Sequence, residues 1–146
     1  MAKSKEEKKR GRPKAIESPE VMLQLFNEYK EHIKRNPFKV KDWVGKDAEM
    51  VYREKEKPLT MEGFSVYCFE NGIINYLGDY FCNKDERYSD FADICRMIKE
   101  IIKQDQIEGG MASIYNPAIT QRLNGLVEKT SNETTIKTEQ PIFIDK

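Results

Sequence analysis

The sequence predicts a mainly α-helical domain that contains a helix-turn-helix-like unit and a β-hairpin insertion. Apolar residues recur at helical spacing in several segments, and capping and stop signals bound these segments. One segment between them has short apolar runs on either side of a polar turn, which is typical of a hairpin. Apolar residues make up 38% and charged residues 34% of the 146 residues, and the mean hydropathy is −0.75. These values fit one charge-rich domain with tails.

The first helix is predicted to follow Ser18-Pro19-Glu20. Ser18 can cap it, Pro19 suits its first turn, and Glu20 favours the positive end of the helix dipole. The pair Asn36-Pro37 ends it, because a residue before proline disfavours the α region. The apolar stripe indicates a core or subunit contact, and its members are Met22, Leu25, Phe26, Tyr29 and Ile33.

A β-hairpin is predicted at about residues 38–57. Phe38, Val40 and Trp43-Val44 precede a polar turn at Gly45-Lys46-Asp47, and Met50-Val51-Tyr52 and a charged run follow it. An isolated hairpin is only marginally stable in water. We therefore expect this one to lean on the helices or on a neighbouring subunit.

Residues 58–80 outline a helix-turn-helix. Thr60 can cap a helix that ends at Asn71-Gly72, and a second short helix with an apolar side of Ile73, Ile74, Leu77 and Tyr80 is predicted to follow. In DNA-reading versions the second helix enters the major groove. Here it would expose Asn75, Tyr76 and Asp79, with Lys84 and Arg87 beyond it. Because this face carries little positive charge, base reading and a purely structural role both stay open.

The longest helix is predicted to begin with Ser89 as its cap. Its apolar stripe consists of Phe91, Ile94, Cys95, Ile98, Ile101 and Ile102, and such a seam predicts a central packing helix or a subunit contact. We expect Gly109-Gly110 to break or loosen this helix. Pro117 then either starts a new helix or kinks this one, and Asn124-Gly125 ends the helical region.

Residues 1–17 at the N-terminus are predicted to form a basic, flexible arm. Residues 1–14 hold seven Lys or Arg and two Glu, a net charge of +5 in a chain whose total is zero. The string from Lys9 to Lys14 resembles the core of an AT-hook, in which Gly and Pro keep the backbone extended so that arginines can lie in a narrow minor groove. Non-specific phosphate binding and a solubilising role are the alternatives. The candidate DNA contacts in the arm are Lys8, Lys9, Arg10, Arg12 and Lys14.

The C-terminal residues 128–146 form a polar tail. Near its end, after Pro141, stands the apolar tripeptide Ile142-Phe143-Ile144. Such a tripeptide predicts a short strand or a docking peptide that binds a partner. The helical core is thereby predicted to occupy residues 18–127.

The residues argue against a catalytic centre, a metal or a cofactor. The sequence contains neither a phosphate-binding loop nor a dinucleotide-binding glycine motif, and its one histidine is His32. The cysteines Cys68, Cys82 and Cys95 lack metal-site spacing and fit reduced thiols in a cytosolic protein. No apolar run approaches the roughly 20 residues of a membrane span.

In their order and spacing, the motifs resemble the small terminase subunits, the DNA-packaging proteins of tailed double-stranded-DNA phages. The likeness covers roughly residues 11–130. Its motifs are Gly11-Arg12-Pro13-Lys14, Ser18-Pro19-Glu20, Leu25-Phe26-x-x-Tyr29, Asn36-Pro37, the string Lys-Pro-Leu-Thr-Met-Glu-Gly-Phe at 57–64, Tyr88-Ser89-x-Phe91, Met111-Ala112, Asn116-Pro117 and Leu-Asn-Gly-Leu at 123–126.

The resemblance implies a mostly helical, non-catalytic protein that acts in the host cell cytoplasm. It implies assembly into a ring of about eight to ten copies, with one closed symmetry. Such subunits recognise viral double-stranded DNA and recruit and regulate a large subunit that holds the ATPase and nuclease; here Ile142, Phe143 and Ile144 are the expected docking residues. The competing hypotheses are a helix-turn-helix transcription regulator with a basic arm, which would be a dimer, and a structural scaffold protein.

Overall fold

A computed structural model, which describes residues 13–126, confirms a mainly helical fold with one β-hairpin. Two single turns of 3-10 helix, at residues 84–86 and 89–91, separate the third and fourth helices. The elements in chain order are α1 Pro19–Arg35, β1 Phe38–Val44, β2 Glu49–Lys55, α2 Met61–Glu70, α3 Gly78–Phe81, α4 Ala92–Met111 and α5 Pro117–Leu123.

The core lies between α1, α2, α3 and α4. Aromatic rings form its centre. The rings of Phe26 in α1 and Phe64 in α2 meet edge-on, with their centres 5.3 Å apart, and the ring centres of Tyr80 in α3 and Phe91 are 4.9 Å apart. Such pairs add stability beyond the area that they bury. The buried apolar residues are Ile16, Met22, Phe26, Tyr29, Leu59, Phe64, Cys68, Leu77, Tyr80, Phe91, Cys95, Ile98 and Ile102.

Side-chain caps fix the starts of three helices. The Ser18 hydroxyl accepts a hydrogen bond from the N–H of Val21, and the Thr60 hydroxyl accepts one from the N–H of Gly63 at 2.9 Å. Asn116 caps α5, so that the following proline starts a new helix rather than kinking α4. Each cap satisfies a backbone donor that the helix itself leaves unpaired.

The hairpin lies outside the buried core, which contains none of its strand residues. Its strands pair antiparallel, from Phe38 opposite Lys55 to Val44 opposite Glu49, and no strand residue is buried. Gly45, at φ +79°, begins the turn that joins the strands, and glycine adopts this left-handed conformation without steric cost. The predicted hairpin is confirmed, and both of its faces remain largely exposed.

The second helix of the predicted helix-turn-helix is shorter than the sequence pattern indicated. After α2, Gly72 takes φ +66°, and the N–H groups of Ile73 and Ile74 bond back to the Cys68 carbonyl. This C-terminal cap turns the chain sharply, so residues 73–77 are irregular and α3 begins only at Gly78. With four residues it is about 6 Å long.

Two expectations for the longest helix are wrong. Ser89 does not cap it: α4 begins at Ala92, and the Ser89 hydroxyl instead donates to the Glu86 carbonyl. Gly109 and Gly110 do not break it, because α4 continues through both to Met111.

The glycine pair instead lets α5 pack closely on α4. Both glycines are buried, and a Cβ atom at Gly110 would lie 2.8 Å from the Thr120 methyl group. A Cβ atom at Gly109 would overlap the ring of Tyr115. Because glycine lacks this atom, the backbones of the two helices can approach within a distance that other residues forbid.

A polar network joins α1, the segment after the hairpin, and α4. Lys34 Nζ lies 2.6 Å from Asp105 Oδ1 and 2.7 Å from Tyr115 Oη. The second Asp105 oxygen accepts from the N–H of Leu59 at 2.9 Å. Burial opposes the charge of Lys34, but its bonds to Asp105 and Tyr115 outweigh burial and raise the pKa of the ammonium. The network therefore holds Lys34 charged and fixes three segments together.

Candidate nucleic-acid interface

The root of the N-terminal arm is pinned to the core. Ile16 is buried, and its N–H donates to the phenolic oxygen of Tyr80 at 2.8 Å. The same phenol donates to the Ile16 carbonyl at 3.3 Å. Burial raises the pKa of Tyr80, so the phenol stays protonated and able to donate. The arm therefore leaves the body at a fixed point beside α3.

Lys14 lies at this root and is held by aromatic rings and one carboxylate. Its ammonium stands 4.9 Å from the centre of the Phe91 ring and 5.8 Å from that of Tyr88. It also lies 3.4 Å from an oxygen of Asp90, which is well exposed. Exposed pairs of this kind contribute little to stability, so Asp90 is a weak competitor for a phosphate at Lys14.

Arg87 also lies near the Tyr88 ring. Its guanidinium carbon lies 6.0 Å from the centre of the Tyr88 ring, and Arg87 itself is exposed. The structure thus brings Lys14 and Arg87, which are far apart in the sequence, together around Tyr88. Lys84 is exposed at the start of the same loop, with its ammonium 3.6 Å from a carboxylate oxygen of Asp79.

The loop that carries Lys84 and Arg87 has an unusual backbone. Asn83, Asp85 and Glu86 all have positive φ, near 50°, which costs energy for residues other than glycine. The Asn83 side chain holds the loop in place, because its oxygen accepts from the N–H of Tyr88 at 2.8 Å. Both basic side chains are therefore presented by an ordered turn.

A cleft of about 480 Å³ lies between the arm root and the turn after α2. Its lining includes Pro13, Asn75, Tyr76, Asp79 and Arg87. The amide, phenol and guanidinium groups can donate hydrogen bonds to phosphates or bases, while the Asp79 carboxylate opposes phosphate. The sequence predicted that Asn75, Tyr76 and Asp79 would be exposed on the second helix and Arg87 beyond it; the structure places Asn75 and Tyr76 in the irregular segment before α3.

Most of the predicted contacts lie outside the described residues. Lys14, Lys84 and Arg87 are described, and the remaining candidates are Lys8, Lys9, Arg10 and Arg12 in the arm and Ile142, Phe143 and Ile144 in the tail. Sequence reasoning missed the anchoring roles of Tyr80 and Tyr88. The sequence placed Tyr80 on the apolar side of the second helix but gave no signal that either tyrosine meets the arm root.

Neither the histidine nor a cysteine lines the cleft. His32 is exposed on α1, with its ring 5.6 Å from that of Tyr67. Cys68 and Cys95 are buried, and burial raises the pKa of each thiol to about 11. Within residues 13–126 there is no group of three or more potential metal ligands, and no helix is long and apolar enough to cross a membrane.

Comparison with known proteins defines the class of this chain as a DNA-packaging protein. The sequence model of a family described as DNA-packaging protein gp3 matches residues 11–134. Because the match covers most of the 146 residues, the chain belongs to this family. The resemblance to phage packaging proteins of the small terminase type is thereby confirmed. A comparison with curated proteins gave no match.

Proposed function

We propose that this chain is the non-catalytic, DNA-recognising and regulatory subunit of a phage terminase, acting in the host cell cytoplasm. Membership of the DNA-packaging family gives the process in which it works. The specific role rests on one observation. The basic arm begins beside a cleft whose lining includes hydrogen-bond donors and the cation Arg87.

The geometry supports a two-part contact with viral double-stranded DNA. Cations of the arm neutralise phosphates or enter the minor groove, and the fixed root determines where the arm starts. Lys14 and Arg87 continue this positive surface onto the body around Tyr88. The full set of proposed DNA contacts is Lys8, Lys9, Arg10, Arg12, Lys14, Lys84 and Arg87.

The hairpin is proposed to join neighbouring subunits in a ring of about eight to ten copies. Such a ring has closed cyclic symmetry, as most homo-oligomers do. Register places Trp43 beside Met50 on the face that also holds Tyr52. These side chains are 62%, 50% and 58% exposed. Exposed apolar groups gathered in this way mark an interaction surface, and a neighbouring copy would supply the support that an isolated hairpin lacks.

The helix-turn-helix regulator remains the alternative proposal. A base-reading helix must present several side chains along the major groove, whereas α3 has four residues. Its length therefore favours the packaging subunit. In the proposed function the turn after α2 lines a phosphate-binding cleft and does not insert a helix.

Salt-dependent DNA binding tests the role of the arm. The double variant Arg10→Gln with Arg12→Gln removes two cations from the arm. Each phosphate contact contributes about 0.9 to the slope of log affinity against log salt, so we expect the slope to fall by about 2 and the binding at low salt to weaken.

A matched control keeps the net charge of that variant. Lys30→Gln with Arg35→Gln removes two cations from α1, away from the arm root. The control is expected to leave the slope unchanged within about 0.5, since neither cation is proposed to meet a phosphate. Equal slopes for wild type and the arm variant would refute the proposed role of the arm.

The tail is proposed to recruit the large subunit through Ile142, Phe143 and Ile144. Deleting residues 138–146 is expected to preserve the assembled particle and to abolish stimulation of the large-subunit ATPase, measured by phosphate release. Full stimulation by the shortened protein would contradict this docking role.

A further inference from the structure

An apolar groove opens beside α5, away from the cleft at the arm root. Its cavity is about 250 Å³, which is space for one or two apolar side chains. The apolar side chains that line it are those of Phe38, Pro58, Ile114, Ile119 and Leu123. Three of these side chains are strongly exposed: Phe38 by 54%, Ile119 by 55% and Leu123 by 69%.

The packing of α5 explains why this face is uncovered. The helix meets α4 through Thr120, which is buried against Gly110. Ile119 and Leu123 are four residues apart and share a different face of the helix. Residues 13–126 provide no cover for that face, although leaving it in water has a cost for every apolar side chain.

We propose that the C-terminal segment Ile142-Phe143-Ile144 of the same chain binds in this groove and that docking there withholds it from the large subunit. The second half of this proposal rests on the proposed docking function of the segment. The first half concerns only the groove and the tail, and it stands independently.

The position and reach of the chain favour this occupant. The described structure ends at Leu126, three residues after α5. The sixteen residues from Val127 to Ile142 span up to about 55 Å when extended, more than enough to return to a groove beside the same helix. A short tether gives an effective concentration on the order of millimolar, so a weak groove suffices.

Charge at the groove complements charge around the tripeptide. The rim carries Lys55, and the ammonium of Lys57 lies 4.9 Å over the Phe38 ring. In the tail, Glu139 precedes the tripeptide and Asp145 follows it directly. Glu56 also lines the groove, but its carboxylate pairs with Lys34 at 3.4 Å. Basic groups at the groove thus face acidic groups on both sides of the apolar tripeptide. Such charge complementarity favours one orientation of the bound segment.

Competition between the groove and the large subunit has a calculable effect. With an effective concentration of about 1 mM and a groove dissociation constant of about 0.1 mM, roughly nine-tenths of the tails are docked. The apparent affinity of the large subunit is then reduced about tenfold. A mutation that prevents the tail from binding the groove should raise the apparent affinity for the large subunit by the same factor.

Peptide binding to a tail-less protein tests the groove. A fluorescent peptide of residues 138–146 is titrated into protein that lacks those residues, and its anisotropy is measured. Ile119→Asp places a charge in the groove, and Val66→Asp, at a 52% exposed site on α2, is the matched control. We expect at least tenfold weaker binding to Ile119→Asp and unchanged binding to Val66→Asp. No saturable binding up to about 2 mM, or equal binding to all three proteins, overturns the proposal.

Two further readouts on the full-length chain separate the remaining outcomes. Native mass identifies a second copy as the occupant: loss of subunits caused by Ile119→Asp alone would overturn docking of the tail. Large-subunit affinity tests the inhibition: Ile119→Asp should tighten it about tenfold, and no change would overturn the withholding step. If peptide binds the groove while tail deletion leaves stimulation intact, the recruitment role fails and the groove assignment survives.

Discussion

Replacing Lys34 with methionine should destabilise the protein far more than removing the neighbouring cation Arg35. Lys34 contacts Asp105 at 2.6 Å, and their side chains are 32% and 17% exposed. Breaking a fully buried ion pair costs about 3–5 kcal/mol, and an exposed pair contributes about 0–1 kcal/mol. For this intermediate exposure we expect a loss of about 2 kcal/mol in the free energy of unfolding, between those two ranges.

Urea denaturation measures this loss. With a slope of about 2 kcal/mol per molar for a domain of this size, Lys34→Met should lower the midpoint by about 1 M. Arg35 pairs with Glu31 where both are well exposed, so Arg35→Met should change the free energy of unfolding by less than about 0.5 kcal/mol. Equal effects of the two variants would refute the assignment of the network as a structural clamp.

The pH dependence of this difference follows from the raised pKa of Lys34. A folded-state pKa above the unfolded value gives stability that is fully present below the unfolded value, about 10.4 for lysine, and lost as pH rises further. The difference between wild type and Lys34→Met should therefore stay constant from about pH 7 to pH 9 and shrink above about pH 10.4. A difference that vanished by about pH 8 would contradict this linkage.

Three other changes test the packing and the proposed assembly. Thr60→Ala removes the cap of α2 and should lower the free energy of unfolding by about 1 kcal/mol, whereas Ser89→Ala, at a residue that does not cap α4, should cost less; urea denaturation compares them, and the reverse order would contradict the cap assignment. Gly110→Ala should cost about 1–2 kcal/mol, because overpacking against Thr120 outweighs the better helix propensity of alanine, and a gain in thermal stability would show that α5 packs elsewhere. Trp43→Ser should reduce the number of subunits in the native particle while leaving the far-ultraviolet circular dichroism unchanged, since this side chain is 62% exposed; an unchanged particle mass would exclude Trp43 from the subunit contact.

Local signals in the sequence were sufficient for most elements. Ser18 and Thr60 cap helices as predicted, because their side chains reach N–H groups three residues away, a geometry that is fixed by the helix itself. The hairpin likewise follows from apolar runs around Gly45. Ser89 has the same chemistry but does not cap a helix. Its hydroxyl instead accepts a hydrogen bond from the Asn83 amide and donates one to the Glu86 carbonyl.

Long-range contacts could not be predicted from local pattern. Gly109-Gly110 resembles a helix break, yet Tyr115 and Thr120 need the space that glycine leaves. The pinning of Ile16 by Tyr80 joins positions 64 residues apart. Spacing rules describe neighbours within one element and contain no information about partners that only folding brings together.

The sequence therefore predicted several residues of the candidate site but not how they are arranged. Charge asymmetry identified the arm, and the polar side of the predicted second helix placed Asn75, Tyr76 and Asp79 on the surface. The sequence did not indicate that the arm root, Lys14 and Arg87 surround one ring, that of Tyr88. This convergence is what connects the arm to the body as a single proposed DNA contact.

The native mass of the particle, free and bound to double-stranded DNA, tests the central claim most directly. Each chain weighs 17.1 kDa, so a closed ring of about eight to ten copies weighs about 140–170 kDa. We predict one species in this range that binds DNA as an intact particle. A dimer of about 34 kDa that binds DNA would contradict the packaging-ring account and support the helix-turn-helix regulator.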